Sequence, residues 1–226
     1  LSKPHDQNPI AVLDFQRKER IGLSEAVFCA RKSPDQIANI LTQFEERTTS
    51  CLLTRLGQEK FNALPSSLQM QLDYDSLSST AFFLDPKPIP RKTRVAIVSG
   101  GTSDASVCAE AARTLSFYGV TSSSFQDVGV TGLWRLLERV EEIQDYPIVI
   151  AVAGMEGAIF SVLGGLIDAI LIAVPTSVSY GIGSDGELAL HAALGSCAPG
   201  LVTVNIDNGY GAACSALRII NKLRII

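Results

Sequence analysis

From residue 94 to residue 205 the chain passes through five short strand-like runs separated by stretches of helical periodicity, and no other property of the sequence narrows the fold as much. Strands are expected at residues 94–99, 123–127, 148–153, 170–174 and 202–205, with helical patterns between them that include residues 132–143 and 187–194. The runs beginning at Ile148 and Ala169 are apolar throughout, as strands buried on both faces are. Such strands need helical crossovers, and the crossovers are right-handed. The pattern therefore predicts an α/β fold with a doubly wound five-stranded parallel sheet, flavodoxin- or Rossmann-like. Its ligand is expected beyond the carboxyl ends of the strands. The same runs fall far short of the ~20 apolar residues of a membrane span, so no membrane association is expected.

Upstream the pattern differs. Pro86, Pro88 and Pro90 alternate in DPKPIPRK, which fixes φ repeatedly and removes backbone donors, so a domain boundary is expected there. Residues 1–90 would hold a lead-in and a small, mainly helical domain, and residues 91–226 the α/β domain. The first eight residues, LSKPHDQN, have a disordered composition. Ser33-Pro34-Asp35-Gln36 places a capping residue before proline with Gln at the third helical position. Ile37, Ile40, Leu41 and Phe44 continue at helical spacing. A further short helix is expected over residues 57–64.

Lys and Arg number 19 against 23 Asp and Glu, a net charge of -4, so there is no broad positive field for a phosphate backbone and nucleic acid is not an expected partner. The five cysteines, at positions 29, 51, 108, 197 and 214, are odd in number and show no short paired spacing. That argues against a zinc cluster or a disulfide framework, and a reducing cytoplasm fits best. The chain starts at Leu1 rather than Met, which leaves a removed targeting segment open.

Five stretches carry side chains able to do chemistry. After the first strand, Gly100, Gly101, Thr102, Ser103 and Asp104 make a turn opening a helix. Its free N–H groups suit a phosphate, the reading favoured by the preference of helix starts for anions, although any α/β domain also needs a plain turn and cap here. After the third strand, Gly154 and Met155 lead to Glu156, a carboxylate at the mouth of the sheet that can act as a general base or simply favour a helix start. Thr176 and Ser177 follow the fourth strand, and Tyr180-Gly181-Ile182-Gly183 extends them as a flexible loop, either a cover for ligand or an ordinary surface loop. Cys197, in Ser196-Cys197-Ala198-Pro199-Gly200, is either a nucleophile or buried packing, since reactivity requires an activating environment. Asn205, Asp207, Asn208 and Gly209 end the last strand, where polar groups can reach a ribose, a metal or a phosphate, and where Asn-Gly also simply turns the chain. His191 has no second histidine nearby and is not expected to bind metal.

The stretches SGGTSD, DVGVTGL, AGMEGA, AVPTSVSYG, SCAPG and NIDNGYGAA, in this order and spacing, resemble the LarB family of nickel-pincer nucleotide cofactor biosynthesis proteins. LDFQRKERIGLSEAVF and SPDQI resemble that family's amino-terminal segment. Its carboxy-terminal domain is similar to PurE, the aminoimidazole ribonucleotide carboxylase/mutase. A PurE-like site would carry a His-Arg pair after the second strand, where this chain has Val130-Thr131, and PurE has no SCAPG cysteine. The resemblance implies nicotinic acid adenine dinucleotide and carbon dioxide as substrates, with Cys197 and Glu156 catalytic. Gly101, Thr102, Ser103, Asp104, Gly154, Met155, Thr176, Ser177, Asn205, Asp207, Asn208 and Gly209 would bind substrate. It also implies magnesium, with Asp104 or Asp207 as ligand, no organic cofactor, and a homo-octamer. PurE-type carboxylation and a non-catalytic nucleotide-binding module are the alternatives. Two stretches depart from the family: Phe160 replaces a proline after the glutamate, and Asp185 and Glu187 add negative charge to the loop after the fourth strand.

Overall fold

The computed structural model describes residues 11–91 and 94–223. The lead-in LSKPHDQN lies outside them. The chain divides into two compact units, Leu1–Lys87 and Pro88–Ile226.

The first unit contains α1 (Arg17–Ile21), β1 (Val27–Phe28), α2 (Pro34–Glu46), β2 (Cys51–Thr54), α3 (Gln58–Asn62), α4 (Ser66–Gln69), β3 (Leu72–Asp75) and β4 (Thr80–Phe83). Helix α2 begins as its sequence requires. Ser33 Oγ accepts from Gln36 N at 3.2 Å, and Gln36 Oε1 accepts from Ser33 N at 3.0 Å. Its Ile37, Ile40, Leu41 and Phe44 are buried with Leu53, Leu56, Ala81 and Phe83. Helices hold more of this unit than strands do, as expected, and its core also contains a four-stranded sheet of order β1-β2-β4-β3 that was not expected. CLLT and TAFF are too short and too uniformly apolar to show a strand period, yet every residue of both strands is buried.

The second unit runs β5 (Arg94–Ser99), α5 (Ala105–Phe117), β6 (Thr121–Phe125), α6 (Leu133–Leu137), α7 (Val140–Gln144), β7 (Ile148–Ala153), α8 (Ala158–Leu166), β8 (Ile170–Pro175), α9 (Glu187–Leu194), β9 (Val202–Thr203) and α10 (Gly209–Leu223). All pairings are parallel, in the order β6-β5-β7-β8-β9. This is a doubly wound sheet whose chain direction of travel reverses between β5 and β7. Alternate residues face opposite sides. Ala96, Val98, Val149, Ala151, Leu171 and Ala173 meet Leu136, Ile143, Ile159, Phe160, Leu163 and Ala193 from α6 to α9. Helices α5 and α10 pack on each other and on the strands.

Several expected boundaries move, β8 by one residue to Pro175 and the helix expected over residues 57–64 to Gln58–Asn62, and three others by more. β6 covers residues 121–125 rather than 123–127, because Ser122, Ser123 and Ser124 occupy an edge strand whose register is set by pairing with β5, Arg94 opposite Thr121. The helix expected over residues 132–143 breaks into α6 and α7 at Glu138 and Arg139. β9 stops at Thr203 instead of residue 205, since the chain turns into α10 through Asp207 at φ 55°, with its N–H bonded to Pro175 O at 2.8 Å. Among the described residues no helix is long and apolar enough to cross a membrane.

Candidate active site

The reversal lies between β5 and β7, the place where a doubly wound sheet takes its ligand beyond the carboxyl ends of the strands, and the turns there come from β5, β7, β8 and β9. The turn after β5 folds back on itself. Asp104 Oδ2 accepts from Gly101 N at 3.0 Å, so the carboxylate occupies one of the donors a phosphate would use. Thr102 and Ser103 remain exposed. Asp104 is buried at 3% exposure, and its other oxygen accepts from the hydroxyl of Thr176, itself at 0%, at 2.7 Å. Burial pushes the Asp104 carboxyl up from its ordinary value. The donors Thr176 and Gly101 pull it back, and the charge of Asp207 pushes it up further.

The turn after β7 holds Glu156 exposed, between Met155 in the left-handed region (φ 52°) and Gly157 (φ 61°). Met155 N donates to Val178 O at 3.1 Å, which ties this turn to the one after β8. Gly154 is demanded by that approach. A Cβ there would lie 2.0 Å from Val178 O and 2.9 Å from Thr176 Oγ1. Gly154→Ala is therefore expected to separate the two turns and lower unfolding free energy by about 1–3 kcal/mol, measured as a shift in the denaturant midpoint at unchanged slope.

Ser177 donates to Asp207 twice, from N to Oδ1 at 2.8 Å and from Oγ to Oδ2 at 2.7 Å. Asn208 Oδ1 accepts from Gly211 N at 2.7 Å and so caps α10, while Asn205 Oδ1 bonds Ile206 N at 2.9 Å. Gly209 is packed against α5, where a Cβ would meet Val107 O at 2.3 Å. The loop after β8 makes tight turns over residues 181–186, kinked at Ser184 and Asp185, the latter in the left-handed region at φ 63°. Gly183 is held against Ser179 and Gly186 against Thr176 O, although Tyr180 and Ile182 stay exposed.

Asp104 and Asp207 do not fit a resident magnesium ion. Each has both oxygens engaged by protein donors. Among the described residues no three of His, Cys, Asp and Glu gather in one place, so a magnesium ion here would draw most of its oxygens from water and substrate phosphate.

Cys197 stands apart from this network. Ser196 is hydrogen-bonded to Ser161 of α8 at 2.7 Å, and a Cβ on Gly164 would touch the Ala198 side chain at 2.6 Å and Leu171 at 3.7 Å. Leu171 is the second residue of β8, four residues before Pro175 at its carboxyl end. At ~3.3 Å per residue that puts the Cys197 loop about 13 Å down the sheet from the mouth. Cys197 is exposed. Cys29, Cys51 and Cys108 are buried, which pushes the Cys29 and Cys108 thiols up to about 12 and Cys51 well above its ordinary value. Arg135, which sequence reading absorbed into a helix, pairs with Asp127 at 2.7 Å in the segment after β6. There Gly129 lets the chain approach Gly100 O. No spacing in GLWRLLER signalled that placement.

The profile of the LarB/PurE-like N-terminal domain matches residues 5–84, and that of AIR carboxylase matches residues 94–224. An uncharacterized protein of Methanocaldococcus jannaschii is 35% identical over 212 residues, covering 90% of this chain and 81% of the relative. The crystal structure of a Treponema denticola PurE2 variant superposes with a TM-score of 0.49 at 20% identity, over 58% of this chain and 82% of that one.

Proposed function

The chain belongs to the AIR carboxylase family, with a LarB-type domain ahead of the carboxylase domain, and from that premise we propose that it is a pyridinium-3,5-biscarboxylic acid mononucleotide synthase of nickel-pincer nucleotide biosynthesis. It carboxylates the pyridinium ring of nicotinic acid adenine dinucleotide and hydrolyses the phosphoanhydride to release AMP. The observation that carries the reading is the pairing of these two domains with an exposed Cys197, where three of the other cysteines are buried.

The Cys197 thiolate adds to the ring carbon para to nitrogen, and the ring becomes an enamine. Its neighbouring carbon attacks carbon dioxide and leaves an iminium ring. Glu156 takes the proton from the newly carboxylated carbon, which restores the enamine, and the enamine expels the thiolate to regain the aromatic ring. Atoms and charge balance without an oxidant. Thr102, Ser103 and Ser177 line the exposed mouth and are assigned to the substrate. Magnesium, which the two aspartates do not seat, is assigned to the dinucleotide's own phosphates.

Cys197 and Glu156 must reach one ring, although about 13 Å of sheet separates the Cys197 loop from the mouth within a copy. The reading therefore requires a shared site, in which the loop of one copy in the homo-octamer faces the mouth of the next. Incubating the protein with the dinucleotide, bicarbonate and magnesium should yield AMP and the dicarboxylated mononucleotide by mass spectrometry. Their absence beside an active reference enzyme rejects the reading. Carboxylation of aminoimidazole ribonucleotide instead would select the PurE-type activity.

A further inference from the structure

The hydrogen bond from Thr176 to Asp104 joins residues 72 apart in sequence and lies across the sheet. Asp104 follows β5 and Thr176 follows β8, with β7 between them, so the bond crosses the carboxyl end of β7 over two strand spacings, about 10 Å of sheet. Gly154 lies at the crossing, where a Cβ would sit 2.9 Å from Thr176 Oγ1, and two residues later comes Glu156. Thr176 N also donates to Ala153 O at 2.9 Å, and Asp104 holds Gly101 N. Three turns thus meet at one bridge. Neither side chain of the bridge is accessible to a ligand, at 3% and 0% exposure.

We propose that Thr176 and Asp104 are positioning residues, a buried hydroxyl–carboxylate bridge that sets the spacing between the exposed Thr102 and Ser103 on one side and Glu156 on the other. The proposal rests on the reading of the mouth as a carboxylase site, and it reassigns both residues from substrate contact to support. The bridge works with Asp104 ionised, since the carboxylate then accepts from both donors. The charged or titratable groups facing it are Asp207 and the buried Cys108 thiol, and both interactions oppose a negative Asp104 or are opposed by it. Thr176 and Gly101 supply the compensation.

Removing the Thr176 hydroxyl therefore moves proton uptake by Asp104 to higher pH. The sign for stability follows. A buried carboxyl raised above its ordinary 3.8 contributes stability that is present below that value and is lost as pH rises through the folded value. Thr176→Val enlarges the loss.

The test compares wild type, Thr176→Val, Thr176→Ser and Asp104→Asn, as full chains, by thermal unfolding from about pH 4 to pH 8 and by the pH profile of kcat/KM. Thr176→Val should lower kcat by ~10–10²-fold with KM little changed, shift the acidic limb to higher pH, and fall behind wild type in melting temperature increasingly towards neutral pH. Thr176→Ser should restore both profiles. An acidic limb and a melting-temperature gap that do not depend on pH in Thr176→Val would reduce Thr176 to plain packing and overturn the proposal. Where the valine variant does not fold, Asp104→Asn decides: it should remove the pH dependence that Asp104 confers on both measurements, and profiles identical to wild type overturn the bridge. A wild type without turnover defeats the functional reading instead, and the stability profiles still judge the bridge.

Discussion

Cys197→Ser should lower formation of the dicarboxylated mononucleotide by at least about 10³-fold while the protein remains folded and still binds the dinucleotide. Serine preserves size and exposure, so the change should move stability by no more than ~0.5 kcal/mol. It removes the chemistry, because a hydroxyl provides almost no anion near neutral pH and is a poor leaving group in the final rearomatisation, where a thiolate departs readily. Product quantified by mass spectrometry, beside a circular-dichroism melt, checks both halves. Undiminished carboxylation by the variant would remove the covalent step from the mechanism. Thiol labelling gives a second view. Cys29, Cys51 and Cys108 are buried and Cys214 is half-buried, so the earliest alkylation should fall on exposed Cys197, identified by peptide mass, and abolish turnover in step with its modification.

Glu156→Gln should reduce kcat by about 10²–10⁴-fold and leave KM nearly unchanged, since the amide keeps the shape of the side chain and cannot take a proton. The exposure of Glu156 makes a folding defect unexpected. The pair of variants then tests where the two groups meet. Co-assembled Cys197→Ser and Glu156→Gln chains leave about a quarter of sites with both native groups if each site draws on two copies, and none if each site belongs to one copy. Recovered turnover in the mixed oligomer, measured against either variant alone, supports the shared site; no recovery confines both residues to a single copy and contradicts the separation along β8.

The sheet was legible wherever burial acts on every side chain. Residues 94–99 and 148–153 read as strands because, apart from Ser99 at the end of the first, their buried positions are all apolar, and the structure ends them at the same residues. β6 was misplaced by two residues because its serines sit on an edge and are specified by backbone pairing, which leaves no trace in composition. The amino-terminal sheet was missed for another reason: strands of two to four residues are shorter than any period that could identify them.

At the site, the turns carrying Thr102, Glu156 and Ser177 were legible as strand-end polar segments. The contact of Thr176 with Asp104 was not, because it depends on strand order, which places two turns 72 residues apart on either side of β7. Gly154 was visible as thin backbone. What the thinness admits, the carbonyl of Val178, was visible only in three dimensions.

The bridge over Gly154 also separates what this fold can change from what it must keep. Its floor consists of two buried side chains and a glycine, each with close neighbours, and a substitution there disturbs three turns together. The rim consists of exposed residues, among them Thr102, Ser103, Tyr180 and Ile182, which few contacts restrain. Substitutions can therefore rework the rim, and with it the choice of substrate, at little cost to the floor, so one scaffold of this kind can come to act on different nucleotides.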